Sequence, residues 1–308
     1  MKSIIYTLLG LLLWTACEDN RKKMITSAPL ISRQYTDDQG KEIKLKKPAQ
    51  RIVSLAPNIT EMIYAIGAED KLVGRSEACN YPYEVGEIDE VSLNPVLDVN
   101  FLLDLKPDLV FTTKESFTPE QIDLLRREGL IIYVQSYRSL ADIYDRIKDI
   151  GEILDKAPQA AHLADSLAAL EQRIVDSTEV QVQYGSMMLI GNNPLEMVGD
   201  KGILGEILSK AGAKNVYQGV DSSFVHPNEM EALQKQPEFL IIPSENDQFY
   251  ANLLVQYPAL YNTPADALKQ VYVIDPELLF RPGPRILEGL MELTQILHNR
   301  LKPEVFLE

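Results

Sequence analysis

Histidine is the side chain best suited to acid–base chemistry near neutral pH, and this sequence holds only three, His162, His226 and His298. They are far apart, and none has the H-E-x-x-H spacing of a zinc protease. The chain also lacks the G-x-S-x-G elbow of serine hydrolases and the P-loop of nucleotide hydrolases. An enzyme would have to work through His226 with Glu229 three residues later. No arrangement of these residues suggests catalysis.

A strand-to-helix junction near the start of the chain offers polar groups to a ligand. Residues 51–68 read RIVSLAPNITEMIYAIGA. Pro57 cannot donate to a neighbouring strand and ends the ladder, and Asn58 or Thr60 is predicted to cap the helix that follows. Ligands of α/β sheets bind beyond the carboxyl ends of the strands, where loops meet helix N termini. The junction is therefore predicted to lie at such an edge, as in many α/β proteins.

The elements that would position this junction alternate between strand-like and helix-like segments. The alternation covers about residues 51–136 and resumes after about residue 184, and a long helical pattern lies between, at about 158–177. It indicates α/β units with mainly parallel sheets. We predict an N-terminal lobe at 33–155, a bridging helix at 156–180 and a C-terminal lobe at 181–308. A hairpin is predicted around Asp38 and Gly40 at the start of the first lobe.

The first residues are predicted to direct export. Lys2 precedes the apolar run IIYTLLGLLLW, which is too short to span a bilayer as a mature helix and is typical of a signal peptide at 1–16. Small residues then precede Cys17, as in the lipobox, where the cysteine is lipidated. Residues 17–32 are polar and are predicted to form a flexible linker. With Cys17 lipidated, Cys79 has no cysteine partner in the chain.

Composition excludes one class of partner. The formal net charge is -15, whereas binding to nucleic acid needs clustered lysine and arginine. A hydrophobic share of 45% with 24% charged residues is that of an ordinary globular protein. No nucleic-acid partner is expected.

The residue identities in several segments are more informative than their pattern of strands and helices. RIVSLAPNITEMIYAIGAEDKLVGRS resembles the start of periplasmic substrate-binding proteins for metal chelates, a group that includes cobalamin-, haem- and siderophore-binding proteins. The resemblance continues through NYP, LDLKPDLVFT, GDKGILGEILSKAGAKNVY, ALQKQPEFLII and FRPGPRILEGL, and covers about residues 37–297. It implies two Rossmann-like lobes joined by one rigid helix, with the ligand in a cleft between them. The cobalamin-binding branch is the most similar, and haem and ferric siderophores are the alternatives.

The resemblance also implies where a chelate would be held. Cobalamin-binding members carry aromatic side chains where this sequence has Ala78 and Asn94, so its pocket must differ from theirs. His226 is a candidate axial ligand to iron or cobalt. No intrinsic cofactor is expected. The candidates for ligand binding are Asn58, Arg75, Tyr81, Tyr83, Asn94, Phe117 and Tyr137 in the first lobe, and Phe224, His226 and Arg281 in the second.

The resemblance implies partners as well. Such proteins deliver their ligand to an ABC permease and its ATPase, and acids on each lobe dock onto the permease. Met230 and Asn100 occupy the corresponding positions here, so we predict that the neighbouring acids Asp98, Glu229 and Glu231 serve instead. The protein is expected to be a monomer in the periplasm, anchored through Cys17 to either the inner or the outer membrane. A chelatase-like enzyme on the same scaffold is the remote alternative.

Overall fold

The computed structural model describes residues 33–94, 97–178, 183–245 and 249–298. The predicted signal peptide, Cys17 and the linker lie outside the described residues, as do residues 179–180 of the predicted bridge. Among the described helices, none combines the length and the hydrophobicity needed to cross a bilayer.

The first lobe is a parallel sheet covered by helices. Its sheet has the order β5-β4-β3-β6-β7 with every pair parallel, and β1 and β2 form a separate antiparallel hairpin. Short 3-10 helices lie at Glu69–Lys71 and Tyr83–Glu87. The remaining elements are β1 Arg33–Thr36, β2 Glu42–Leu45, β3 Ile52–Ser54, α1 Pro57–Ala65, β4 Leu72–Ser76, β5 Glu90–Val91, α2 Val99–Asp104, β6 Leu109–Thr113, α3 Pro119–Arg127, β7 Ile132–Gln135 and α4 Leu140–Leu154.

The strand order places a crevice between β3 and β6. From β3 the chain continues outward to β4 and β5, then returns to the other side of β3 to form β6 and β7. The loops that leave the adjacent strands β3 and β6 therefore diverge, and such a switch point is where α/β sheets bind ligands. Both strands are buried along their whole length, as parallel strands covered on two faces must be.

The hairpin β1–β2 is attached to the side of the first lobe by ion pairs. Asp37 pairs with Arg126 at 2.9 Å, and Asp38 pairs with Arg146. Arg33, where the described chain begins, bonds the Glu152 carbonyl at the last turn of α4. The hairpin therefore begins at the C-terminal end of α4.

A single helix, α5 at Ala157–Thr178, joins the lobes. It packs closely on α4, because a Cβ atom at Gly151 would lie only 2.3 Å from the Cβ of Ala160. Its buried residues Ala160, Ala164 and Ile174 belong to one hydrophobic core that also contains residues of both lobes. A shared core opposes large movements of one lobe against the other.

The second lobe repeats the architecture with a mixed sheet. Its order is β11-β9-β8-β12-β13, with β10 also pairing with β8; β8, β12 and β13 are parallel, and β9 is antiparallel to its neighbours. The elements are β8 Gly185–Asn192, β9 Leu195–Val198, α6 Gly202–Lys210, β10 Lys214–Asn215, β11 Phe224–Val225, α7 Glu229–Gln234, β12 Phe239–Pro243, α8 Phe249–Gln256, a 3-10 helix at Pro258–Asn262, α9 Pro264–Ala267, β13 Val271–Ile274, α10 Glu277–Phe280 and α11 Ile286–His298. The predicted two-lobed α/β fold is confirmed. The exact lobe boundaries stay a prediction.

Candidate ligand-binding cleft

A cleft with a volume of about 530 Å³ lies between the lobes at the carboxyl ends of β3 and β6. The first lobe supplies the loops after β3, β6 and β7, and the second supplies the start of α6, part of β11 and the turn after α10. The lining residues are Ala56, Pro57, Asn58, Thr113, Glu115, Ser116, Tyr137, Lys201, Gly202, Ile203, Leu204, Ser223, Phe224, Leu279, Phe280, Arg281 and Pro282.

The helix α1 begins at the cleft without a side-chain cap, so the predicted caps are wrong. Thr60 bonds Ser54 at 2.8 Å beneath the helix instead. The Asn58 amide reaches across the cleft floor and donates to the Pro282 carbonyl at 3.2 Å. The helix begins at Pro57 with Ala56 at the N-cap, so Asn58 and Thr60 lie inside the helix, and its first residues line the cleft.

Hydroxyl groups form the wall that the first lobe contributes. The hydroxyls of Thr113 and Ser116 bond each other at 2.8 Å in the loop after β6. Tyr137 donates its phenol proton to the Gln135 side chain at 2.5 Å, with Asn58 alongside. Burial raises the pKa of Tyr137 well above its usual range, so this phenol stays protonated. The wall therefore presents neutral hydrogen-bonding groups.

Two phenyl rings of the second lobe face the cleft. Phe224 and Phe280 line the cleft, and each is 46% exposed. A flat apolar ligand would cover both rings. Lys201 and Glu115 bring one charge of each sign to the lining.

Arg281, predicted to grip the ligand, lines the cleft but is already neutralised. Its guanidinium pairs with Glu277 and lies 3.5 Å from Glu61 of the first lobe. It also donates to the Asn80 side chain at 2.6 Å. Two carboxylates therefore share its charge, and little remains for a ligand.

A second arginine completes this network, which we call the inter-lobe ion cluster (Glu61, Glu277, Arg281 and Arg285). Arg285 grips Glu61 with two bonds, of 2.8 and 3.1 Å. Glu61 is 3% exposed and belongs to the first lobe, whereas the other members belong to the second. Burial opposes ionisation of Glu277, yet the Asn80 hydrogen bond and the two arginines lower its pKa. The cluster ties the lobes together beside the cleft.

A separate link joins the lobes on the other side of the cleft. The backbone N–H of Leu140, at the start of α4, donates to the Glu206 carboxylate of α6 at 2.9 Å. Lys210 is 2.6 Å from Glu171 of α5 and 3.4 Å from Glu206. The lobes are thus connected on both flanks of the cleft and along α5.

Several predicted site residues lie elsewhere in the first lobe. Phe117 is 7% exposed, belongs to the hydrophobic core that also contains Ile122 and Leu125, and does not line the cleft, so its placement in the cleft is wrong. Arg75 pairs with Glu90 at 3.0 Å and holds the segment between β4 and β5. The Asn94 amide donates to Glu77.

The two tyrosines around Pro82 also lie outside the cleft lining. Tyr81 stacks under Arg285, whose guanidinium carbon is 4.0 Å from the ring centroid, and so supports the ion cluster. Tyr83 is 93% exposed.

His226 does not line the cleft either. Its Nε2 lies 3.5 Å from a Glu196 oxygen, and the side chain is exposed beyond the end of β11. His226 lies one residue beyond the end of β11 and contacts Glu196 of β9, whereas Phe224 within the strand lines the cleft. The structure gives no support to His226 as an axial ligand.

The acids predicted to dock on a permease each have a structural contact. Asp98 caps α2 by accepting from the Phe101 N–H at 2.9 Å. Glu231 forms a capping box with Asn228 at the start of α7, and Glu229 accepts from the Ala259 N–H at 2.6 Å. Their docking role stays a prediction.

The cleft also contains residues that were not predicted. Thr113 ends the strand β6, and Glu115 and Ser116 follow it closely, which was a usable signal. Phe280 directly precedes Arg281, and Lys201 directly precedes α6. Glu61 had no local signal, because its arginine partners follow about two hundred residues later.

Comparison with known proteins connects this geometry to a family. Residues 52–278 match the family described as periplasmic binding protein, a match that covers most of the chain. The chain belongs to the periplasmic binding protein family. The predicted resemblance is thereby confirmed, and so is the prediction of a binding protein rather than an enzyme. A periplasmic binding protein works outside the cytoplasm and holds its substrate between its lobes, where the cleft lies here.

The similar proteins cover nearly all of the two lobes. A vitamin B12-binding protein of Vibrio parahaemolyticus is 27% identical over 81% of this chain and 90% of its own length. The ABC transporter substrate-binding lipoprotein YvrC of Bacillus subtilis is 26% identical over 88% of this periplasmic binding protein and 86% of its own. The solved structure of a periplasmic heme-binding protein from Pseudomonas aeruginosa is 26% identical, covering 83% of this chain and 95% of that one, with a TM-score of 0.72.

Proposed function

We propose that this periplasmic binding protein captures a corrinoid, most simply cobalamin, and delivers it to an ABC permease. The observation that carries the proposal is the neutral, aromatic cleft: Phe224 and Phe280 are exposed to it, and its arginine is neutralised by two carboxylates. A corrin ring is flat and apolar on its faces and is surrounded by uncharged amides. Hydroxyl and amide groups such as those of Ser116 and Asn58 suit that periphery.

The same cleft fits haem less well. Haem carries two propionates, each of which needs a cation, whereas among the described residues of the cleft lining only Lys201 keeps an available charge, since that of Arg281 is already satisfied. Ferric haem also needs an axial donor, and of the described residues no histidine lines the cleft. The protonated Tyr137 phenol acts as a hydrogen-bond donor. These features favour a corrinoid over haem or a ferric siderophore.

Isothermal titration of the exported protein against cyanocobalamin tests the proposal. We expect a one-to-one complex, with haemin and a ferric hydroxamate siderophore binding at least tenfold more weakly. The expected driving force is burial of ring faces and of the two phenyl groups, which gives a negative heat-capacity change. Tight haemin binding without cobalamin binding would contradict the corrinoid assignment and move the protein to haem uptake.

We further propose that Cys17 carries lipid and that residues 17–32 tether the lobes to a membrane. The support is the apolar run followed by small residues before Cys17, together with the lipoprotein among the similar proteins. A tethered binding protein stays near its permease, which raises the effective concentration of the complex. The partners proposed are therefore a membrane and an ABC permease with its ATPase, with one copy of this chain acting alone.

Metabolic labelling with an alkyne fatty acid tests the anchor. The protein as exported should become labelled and should partition into detergent, because a cysteine thioether would carry the lipid. Cys17→Ala should remove the label, while Cys79→Ala should keep it because Cys79 is buried beneath α1. Labelling that survives in Cys17→Ala would contradict the assignment.

A further inference from the structure

A second opening adjoins the cleft on the flank formed by α4 and α6, and its volume is about 450 Å³. We call it the side groove; it is lined by Arg138 of the first lobe and by the residues of the second lobe from Asp200 to Lys210 that face it. Lys201 and Gly202 line both the side groove and the cleft. A ligand seated in the cleft could therefore extend an arm into the side groove.

The acids of the side groove are occupied by structural contacts. Asp200 accepts from the Gly219 N–H at 3.0 Å. Glu206 accepts from the Leu140 N–H at 2.9 Å and is also paired with Lys210. Within the described residues, neither carboxylate forms an ion pair with Arg138 or Lys201.

Two cations of the side groove are available to a ligand. Within the described residues, the Arg138 guanidinium has no ion pair, and only its backbone N–H is bonded, to Asp142 at 2.7 Å. Lys201 reaches only Asp221, at 3.7 Å, and that carboxylate is 92% exposed. Screened contacts of this kind contribute little. The side groove therefore offers one free positive charge from each lobe, in a protein whose formal net charge is -15.

The side groove differs from the cleft in whether its cationic side chains are paired with carboxylates, and this difference indicates what it can bind. Arg281 in the cleft is neutralised by Glu61 and Glu277, whereas Arg138 and Lys201 are not. The pair of surfaces matches a ligand with an uncharged ring and a single anionic arm. A guanidinium and an ammonium on opposite sides suit a phosphodiester, which has two anionic oxygens sharing one charge.

We propose that the side groove is a phosphodiester subsite, in which Arg138 and Lys201 bind the nucleotide arm of a corrinoid whose ring occupies the cleft. This inference rests on the proposed function. It makes the two residues specificity determinants that distinguish complete corrinoids from those without the nucleotide arm.

Titration with dicyanocobalamin and dicyanocobinamide, both in excess cyanide, tests the subsite. The two ligands then have the same axial groups and differ only in the nucleotide arm with its phosphodiester. The exported protein should prefer dicyanocobalamin, and the double variant Arg138→Gln/Lys201→Gln should lose roughly 5- to 30-fold in affinity for it. Arg138→Gln alone, which changes a residue of the side groove and not of the cleft, should leave the affinity for dicyanocobinamide unchanged, and the preference of the exported protein should weaken as salt is raised.

A matched control removes the same two charges elsewhere. Arg127→Gln/Lys269→Gln changes an exposed arginine in α3 and a lysine that is 84% exposed, neither of which lines the cleft or the side groove. This variant should keep the preference. A protein that binds both corrinoids equally, or a test variant that loses both to the same degree, would overturn the subsite while leaving the proposed function standing.

Failure of the proposed function has a different signature. Neither corrinoid would then bind, and haemin can be compared with its dimethyl ester, which lacks the anionic carboxylates. A preference for haemin that is lost in Arg138→Gln/Lys201→Gln would assign the side groove to a carboxylate arm and overturn the phosphodiester assignment.

Discussion

Glu61→Ala is expected to lower the free energy of unfolding by about 3 kcal/mol, the lower end of the range for breaking a buried ion pair. The substitution leaves Arg281 and Arg285, whose side chains are 15% and 13% exposed, without their partner in the first lobe. Glu277 continues to neutralise them in part, which is why the loss should not be larger. Denaturant unfolding measured by circular dichroism gives the change directly.

Asp165→Ala is the control for Glu61→Ala. It removes an exposed pair, because Lys148 lies 3.9 Å from Asp165 and the two side chains are 45% and 78% exposed. Alanine suits the helix α5, so the expected change is within about 0.5 kcal/mol. Equal losses in the two variants would show that the inter-lobe ion cluster does not stabilise the pairing of the lobes.

The double variant Phe224→Ala/Phe280→Ala should weaken cyanocobalamin binding roughly 100-fold. Each ring is half exposed in the free protein and would be covered by the ligand, so each truncation should cost about 1.4 kcal/mol, or tenfold. Titration calorimetry of both single variants and the double variant measures whether the effects add. The free energy of unfolding should change by less than about 0.5 kcal/mol, since neither ring is in the core.

Tyr83→Ala tests whether the ligand is bound in the cleft that the structure describes or at the tyrosine that the sequence analysis predicted to bind it. Tyr83 is 93% exposed and does not line the cleft, so its removal should leave the affinity unchanged. A loss in Tyr83→Ala as large as that in Phe280→Ala would mean that the ligand is held outside the cleft.

The fold could be predicted because its signals are local. The alternation of strand and helix segments and the long apolar face of α5 depend on neighbouring residues only. The cap of α1 depends on the residue at which the helix begins, and such boundaries are specified less sharply than the helix itself. Thr60 has the right chemistry for capping, but the helix begins at Pro57, so Thr60 lies inside it and donates to Ser54 instead.

The site was predicted in part for a related reason. Position after a strand predicts Asn58 and Tyr137, and the family resemblance implies Phe224 and Arg281; all four line the cleft. Chemistry alone suggested Phe117 equally well, yet burying its ring in the core was more favourable than exposing it. The charge state of Arg281 depends on Glu61, which lies 220 positions earlier and has no pattern linking the two.

The place where the hairpin β1–β2 begins has a consequence for delivery. Arg33 lies at the C-terminal end of α4, whereas the cleft opens beyond its N-terminal end, about 20 Å away along the helix axis. With lipid on Cys17, as proposed, the anchored end of the first lobe lies at the opposite end of α4 from the cleft. Docking of the cleft face on a permease in the same bilayer would then require the lobes to rotate on their tether. A segment of the length of residues 17–32 reaches up to about 55 Å when extended, which is long enough to allow that rotation.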